Sequence, residues 1–319
     1  MLLSKAIEGF NFSIRADGYS PSTVLLYMHD LKVLYEELDD PELDQITEGD
    51  LTHFFVYLRE VYHKEMGREV LSGSTLQNYW KAIRTFFEWA KKQKLINIRP
   101  DQYLKMPPNN PKVVMPLKED QVKALLHYAE YSRTSKPKNR KSFQTKRPEA
   151  LRDTALLILL LDTGVRAGEA GRLVISDVDF ENGLLLIRPY GSSRRKTKSR
   201  TIPLGKVSQR ALWKYVSARK DARPDDPVFI TRNERSMDKH TMFQLIKRLG
   251  ENAGIKNCHP HRLRHTFAIE FLRNGGDIFT LKSILGHSSL EIVQNYLQIA
   301  ATDVATAQRR ASPADKWHL

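Results

Sequence analysis

Six side chains in the C-terminal two thirds of the sequence belong to the types that phosphate chemistry requires. Tyrosine can attack a phosphodiester and hold the phosphoryl group covalently. Arginine is permanently charged and binds two phosphate oxygens at once, whereas lysine or histidine can donate a proton to the leaving oxygen. The chain supplies all of these groups, in the order Arg166, Lys196, His261, Arg264, His287 and Tyr296.

Each of these residues also has an ordinary structural interpretation. Arg166 could form a surface ion pair with Glu169, three residues later. His287 follows a glycine and could cap a helix, and Tyr296 lies at helical spacing from apolar neighbours and could belong to a core. The chemical interpretation therefore depends on the joint order and spacing of the six residues.

The charge of the chain indicates a polyanionic partner. The net charge is +14 over 319 residues, but residues 1–108 carry −3 and the remainder carries +17. A surface rich in lysine and arginine can simply be solvated, and this interpretation competes with nucleic-acid binding. The concentration of the excess in the C-terminal two thirds favours DNA as the partner.

Helical patterns dominate residues 1–106, and three hydroxyl residues, Ser20, Thr47 and Ser72, mark predicted helix starts. The apolar stripes that follow, including Trp80, Phe86, Phe87 and Trp89, are predicted to form a core. Four prolines in residues 107–116 favour an extended linker. The predicted organisation is a helical domain, a linker, a catalytic domain and a tail, at residues 1–106, 107–116, 117–300 and 301–319.

The second domain is expected to be mixed. Residues 184–189 and 201–204 form a predicted β-hairpin, whose tip carries six basic residues between Arg188 and Arg200 and no acid. Helices are predicted at Lys206–Arg219 and Lys239–Ala253. Residues 132–150 hold seven basic residues and one acid without apolar periodicity. This insertion is either a solvated loop or an arm that follows DNA phosphates.

Other chemistries lack support in the sequence. There is no glycine-rich phosphate loop, dinucleotide fingerprint or HExxH motif, so no nucleotide cofactor or catalytic zinc is expected. The single cysteine, Cys258, is predicted to be a small buried side chain. No segment has the length and apolarity of a membrane span or secretion signal, which predicts a cytoplasmic protein.

Considered together, these motifs resemble those of the tyrosine recombinase (phage integrase) family, including its Xer-like members. The segment DTGVRAGE, ending at Glu169, is similar to the first box of the family, and HRLRHTFA, beginning at His261, to the second. Leu285-Gly-His287 followed by Tyr296 resembles the third box. The segment KTKSRTIPL, from Lys196, resembles the hairpin that carries the catalytic lysine of the family. The resemblance extends over nearly the whole chain.

The resemblance implies a mainly α fold with a small β-sheet, in which a helical SAM-like core-binding domain precedes a mixed α/β catalytic domain. It implies that Tyr296 forms a 3′-phosphotyrosine, that Arg166, Arg264 and His287 hold the phosphate, and that His261 assists proton transfer. Lys196 is the preferred general acid, although counting back from Arg200 along the hairpin could instead select Lys198 or place Arg195 at this position. No ATP, metal or other cofactor is implied. The tail at Ala301–Leu319 is expected to pack on an adjacent protomer.

The function implied is site-specific recombination of double-stranded DNA, for integration, excision or resolution, by a tetrameric synapse in which two domains close around DNA. Two alternatives remain at this point. A type IB topoisomerase would use similar chemistry without pairing two sites. A DNA-binding regulator would carry basic helices but would form no covalent adduct with DNA.

Overall fold

The computed structural model describes residues 1–65, 67, 70–109, 114–133, 143–192, 195–196, 198–286, 296, 312 and 314, except the side chains of residues 192, 195 and 196. The chain divides into two compact units. The first unit comprises Met1–Val113 and Tyr190–Thr197. The second unit comprises Val114–Pro189 and Lys198–Leu319.

The first unit is helical outside residues 190–197, and the three predicted helix starts are confirmed. The side-chain oxygens of Ser20, Thr47 and Ser72 each accept a hydrogen bond from the backbone N–H three residues later. Such caps satisfy amides that have no partner within the helix. The helices are α1 (Leu3–Ala16), α2 (Pro21–Glu37), α3 (Glu48–Tyr57), the short α4 (His63–Glu65) and α5 (Gly73–Lys92), with a π-helical turn at Leu58–Tyr62.

Aromatic rings fill the centre of the first unit. Phe10 and Phe86 pack edge to face with ring centroids 5.5 Å apart, and Phe86 and Phe87 are fully buried, as predicted. Trp80 and Trp89 pack against this core but are only partly buried, and the indole N–H of Trp80 donates to the carbonyl of Leu104 at 2.9 Å. This bond ties the segment after α5 back onto the helix bundle.

The second unit contains seven further helices and a small antiparallel sheet among its described residues. The hairpin prediction is confirmed, because strand β2 (Leu184–Ile187) pairs with β5 (Arg200–Pro203), and β1 (Val178–Asp179) pairs with the other edge of β2. The chain between β2 and β5 contains β3 (Gly191–Ser192), which pairs with β4 (Arg195–Lys196) in the segment that groups with the first unit. The helices are α6 (Glu119–Glu130), α7 (Ala150–Thr163), α8 (Ala167–Ala170), α9 (Lys206–Ser217), α10 (Lys239–Asn252), α11 (Pro260–Arg273) and α12 (Ile278–Leu285).

The core of the second unit is formed by α7, which packs against α6, α9 and α11. Cys258 is buried in this core, as predicted, and burial raises the pKa of its thiol to about 11. The thiol is therefore protonated at neutral pH and is a poor nucleophile. The mainly helical fold with a small sheet is thus confirmed. No helix in the described part of the chain is long and apolar enough to cross a membrane.

Both ends of the basic insertion at residues 132–150 are held side by side. Tyr131 and Lys146 form an antiparallel bridge, and the N–H of Ser132 donates to the carbonyl of Thr145 at 2.8 Å. Residues 134–142, which carry much of its charge, lie outside the described residues. The same holds for the tail at residues 301–319 apart from Ser312 and Ala314.

One buried carboxylate in the first unit has incomplete hydrogen bonding. Asp30 is 3% exposed, and its Oδ1 lies 3.1 Å from Nδ1 of His29. Its Oδ2 has no hydrogen-bond partner among the described atoms. Burial raises the pKa of Asp30 to about 6, although the hydrogen bond and charge of His29 act in the opposite direction.

Asp30 should make the stability of the chain depend on pH. The folded chain holds the Asp30 proton more tightly than the unfolded chain, whose pKa is near the ordinary 3.8, so the free energy of unfolding falls as pH rises through about 4 to 6. In Asp30→Asn, the decrease in the free energy of unfolding over this pH range should be smaller by about 1–3 kcal/mol. Urea unfolding of the full chain at several pH values measures this decrease. Asp44→Asn, at an exposed carboxylate, is the control, and equal pH slopes for the two variants would contradict the assignment.

Candidate active site

The ends of two helices meet beside α11 in the second unit. Helix α7 is followed by Gly164 and helix α12 by Gly286, with φ angles of +60° and +64°. Glycine adopts this left-handed conformation without steric cost and ends a helix there. The last carbonyls of a helix have no partner within it and carry partial negative charge. Two electronegative helix ends are therefore available to cations.

Arg264, in the second turn of α11, binds both helix ends. Its Nη1 donates to the carbonyl of Gly164, and its Nη2 donates to the carbonyl of Leu285 at 2.8 Å. The side chain is almost fully buried, and burial, followed by the charge of Arg166, lowers the pKa of Arg264 to about 10. Because this value is well above neutral pH, the guanidinium remains charged.

A buried carboxylate, Glu169, lies in the same cluster and is 3% exposed. The backbone N–H of Arg166 donates to its Oε2 at 2.9 Å, and Nη1 of Arg166 donates to Oε1 at 3.2 Å. Nη1 and Nη2 of Arg200 donate to Oε1 and Oε2 at 3.0 and 2.8 Å. Burial alone would raise the pKa of Glu169, but Arg200 and then Arg166 hold it below its ordinary value. Glu169 is therefore ionised at neutral pH.

Arg200 is a residue of this cluster that the sequence did not single out. Besides Glu169, it binds the carbonyl of Ile284 through Nε, at 2.7 Å. A signal was present in β5, because alternate residues of a strand share one face and Arg200 therefore shares a face with the buried Ile202. A charged side chain on the inward face of a strand indicates a buried partner.

Arg166 is the most accessible of the three arginines. Its side chain is 30% exposed, against 10% for Arg200. Nη1 of Arg166 also lies 3.4 Å from the carbonyl of Leu285, which Arg264 binds as well. The surface ion pair considered from the sequence is thus one edge of a buried network. A guanidinium fixed on one side and open on the other is suited to an incoming anion.

Tyr296 is a buried residue of the second unit, as the apolar spacing around it predicted. It is 5% exposed and packs in a small apolar cluster with Phe267, Leu281 and Leu285. Burial raises the pKa of Tyr296, and the charges of Arg264 and Arg166 act against this rise. The hydroxyl is therefore protonated at neutral pH and lies within electrostatic reach of both arginines.

Two histidines of α11, His261 and His265, have lowered pKa values and are neutral at neutral pH. His265 packs edge to face against the Tyr296 ring, with centroids 5.3 Å apart. His261 is exposed, but partial burial, followed by the charge of Arg264, lowers its pKa. Burial, followed by His261, lowers the pKa of His265. A neutral imidazole can accept a proton, which is the property that a tyrosine nucleophile needs nearby.

Four of the six predicted residues, Arg166, His261, Arg264 and Tyr296, lie in one electrostatically coupled cluster. Lys196 lies in β4, where it pairs with Gly191, but its side chain is outside the described part of the structure. Lys198 is exposed. His287 is outside the described residues. The cluster thus contains two charged guanidinium groups, a neutral imidazole and a protonated tyrosine hydroxyl.

Comparison with known proteins identifies both parts of the chain. Residues 116–303 match the model of the phage integrase family, and residues 7–97 match the N-terminal SAM-like domain of phage integrases. The chain is 27% identical over 309 residues to the tyrosine recombinase XerD of Oceanobacillus iheyensis, covering 93% of this chain and 95% of that protein. It is 28% identical over 315 residues to the tyrosine recombinase XerA of Pyrococcus horikoshii, covering 97% and 94%.

A solved structure shares the fold. The Tn1549 transposon integrase, in complex with a circular intermediate DNA, aligns with a TM-score of 0.74 over 97% of this chain and 99% of that chain. The identity is 21%, so this likeness shows the common fold alone.

Gly164 should tolerate no side chain. A Cβ atom there would lie 2.4 Å from Phe267 and 2.7 Å from Leu285, in addition to the left-handed φ. We expect Gly164→Ala to lower the free energy of unfolding by about 2–4 kcal/mol, since overpacking adds to backbone strain. Gly254→Ala is the matched control, because Gly254 has a φ of +68° with nothing within 4 Å. Its cost should be about 1 kcal/mol, and equal losses in urea unfolding would contradict the clash.

Proposed function

Because the chain belongs to the phage integrase family, we propose that it cleaves and rejoins DNA through a covalent bond between Tyr296 and a DNA phosphate. The family consists of enzymes that carry out site-specific DNA recombination, and this chain is such an enzyme. The proposal concerns which residues perform each step. Its main support is the cluster in which Arg166 and Arg264 share the carbonyl of Leu285 and act on the pKa of Tyr296.

The first step is attack by the Tyr296 hydroxyl on the scissile phosphate. A bond forms between the tyrosine oxygen and phosphorus, and the bond from phosphorus to the 5′-oxygen breaks, which leaves a 3′-phosphotyrosine. The tyrosine proton passes to His261, whose lowered pKa keeps it neutral and able to accept. Arg166 and Arg264 hold the non-bridging oxygens, where negative charge increases in the transition state.

The second requirement is a proton for the departing 5′-oxygen. Lys196 supplies it in this proposal, with Lys198 as the alternative, and His287 contributes a further bond to the phosphate. Rejoining reverses the step, because a 5′-hydroxyl attacks the phosphotyrosine and restores the phosphodiester. The energy of the broken bond is retained in the protein–DNA linkage, so neither ATP nor another cofactor is required.

The assembly follows from the number of bonds to be broken. Exchange between two duplexes requires cleavage of both strands of each duplex, which is four cuts, and each chain carries one Tyr296. We therefore propose a tetramer of protomers on two DNA sites, with the tail at residues 301–319 packing on an adjacent protomer. Residues 1–106 are proposed to bind DNA as a separate domain, joined by the linker at 107–116 to the catalytic residues 117–300.

Recombination is favoured over relaxation of supercoils. The relatives that cover more than nine tenths of this chain are tyrosine recombinases, and the topoisomerase alternative has no such support. A DNA-binding regulator would need no cluster of arginines around a buried tyrosine. The two alternatives differ from recombination in the products they predict, which are relaxed DNA without exchange, or no covalent adduct at all.

Tyr296→Phe should abolish the covalent adduct while DNA binding persists, because only the attacking oxygen is removed. Wild-type protein is incubated with fragmented genomic DNA and then denatured in detergent. The DNA fragments that remain covalently attached are sequenced to identify the cleavage site. A nicked substrate built from that site then traps the adduct for the variants. Adduct formation by Tyr296→Phe would exclude Tyr296 as the nucleophile.

Tyr215→Phe provides the matched control for this experiment. Tyr215 is also buried in the second unit, and its hydroxyl oxygen accepts a hydrogen bond from the N–H of Ile230. Its loss costs about 1 kcal/mol of stability but removes nothing from the proposed chemistry. The control variant should therefore form the adduct at a rate close to wild type.

A DNA substrate with a better leaving group should identify the residue that acts as the general acid. Lys196→Ala and Lys198→Ala are compared on normal DNA and on DNA with a 5′-bridging phosphorothiolate, whose sulfur leaves without protonation. We expect Lys196→Ala to slow cleavage of normal DNA by about 10²–10⁴-fold and to cleave the modified DNA at nearly the wild-type rate. Rescue of Lys198→Ala instead would assign the acid to Lys198, and rescue of neither would exclude both.

A further inference from the structure

We propose that Arg200 is a positioning residue that neutralises Glu169, so that the positive charge of Arg166 and Arg264 remains available to the DNA phosphate. This inference rests on the proposed function of the cluster, and it assigns a task to a side chain that does not itself contact the phosphate. Arg200 is nearly buried, and all of its nitrogen atoms are engaged by Glu169 and the carbonyl of Ile284.

The geometry of the pair shows which arginine is the main partner of Glu169. Arg200 makes two side-by-side bonds of 3.0 and 2.8 Å, one to each carboxylate oxygen. The side chain of Arg166 makes a single, longer bond of 3.2 Å to one of these oxygens. Paired bonds of this kind are strong and directional. Glu169 is therefore neutralised mainly by Arg200, and the guanidinium of Arg166 is left partly exposed.

The consequence appears in the charge of the cluster. Three guanidinium groups around one carboxylate leave a net charge of +2, and Arg200, which is matched to the carboxylate, is less exposed than Arg166. A phosphodiester carries one negative charge and gains a second as the nucleophile adds. Without Arg200 the cluster would hold only +1, and Glu169 would draw Arg166 towards itself in place of the phosphate.

A third hydrogen bond connects Arg200 to the end of α12. Its Nε holds the carbonyl of Ile284, and its guanidinium lies 3.0–3.2 Å from the position of a Cβ atom at Gly286. Arg200 thus fixes the carboxylate and the end of α12 with a single planar group. The neighbouring carbonyl of Leu285 is the one that Arg166 and Arg264 share. Arg200 consequently orients both phosphate-binding arginines without binding phosphate.

Neutralising Glu169 should restore part of the cleavage rate that is lost when Arg200 is replaced. We expect Arg200→Met to slow adduct formation on the nicked substrate by about 100-fold, because the buried charge of Glu169 is then balanced by Arg166 in place of Arg200. Glu169→Gln alone should slow it by about 10-fold, since Arg166 loses a contact. The double variant should be at least 10-fold faster than Arg200→Met. A double variant as slow as Arg200→Met, with unfolding curves of both intact, would overturn the proposal.

A further variant separates charge from shape. Arg200→Lys keeps the charge and should remain within about 10-fold of wild type, whereas equal losses for lysine and methionine would contradict neutralisation as the role.

The adduct assay distinguishes a failure of the role of Arg200 from a failure of the proposed function. If wild-type protein forms no covalent adduct with any DNA, the proposed function fails. If wild-type protein forms the adduct and the double variant shows no rescue, only the role of Arg200 fails. A methionine variant that does not fold would leave the lysine variant and the double variant to decide the question.

Discussion

A carboxylate withdrawn from water, Glu169, is the constraint on which the catalytic unit depends. A buried charge is tolerated only with partners close enough to replace its hydration. Those partners are Arg166, three residues earlier, and Arg200, on the second strand of the hairpin. Arg200 in turn holds the carbonyl of Ile284, so one buried charge joins three distant stretches of chain. Arg264 extends the network to the ends of α7 and α12.

Local chemistry made much of the fold predictable. The starts of α2, α3 and α5 follow from Ser20, Thr47 and Ser72, because a hydroxyl cap acts within three residues of itself. The hairpin of β2 and β5 follows from two segments with apolar residues on either side of a basic tip. The residue types of the active site were also recognisable, since a tyrosine, paired arginines and histidines in this order define a phosphate chemistry.

The partners of those residues could not be predicted, because they are distant in sequence. Arg264 binds main-chain carbonyls 100 and 21 residues away, and a carbonyl has no sequence signature. Arg200 was one of six basic residues in its segment, and only its place on the inward face of β5 distinguishes it. The general acid stayed ambiguous for the same reason, because Lys196 and Lys198 differ by one strand period and both fit the hairpin.

The anchor shared by the active-site arginines is a backbone atom, the carbonyl of Leu285. Every amino acid has the same carbonyl oxygen, so residue 285 can be substituted during evolution without loss of this hydrogen-bond acceptor, provided that the new side chain still packs. Changes in chain length have the opposite effect. One residue gained or lost in α12 would rotate this carbonyl by about 100° around the helix axis. Homologous enzymes should therefore vary freely in composition here while conserving the spacing between the second and third motifs.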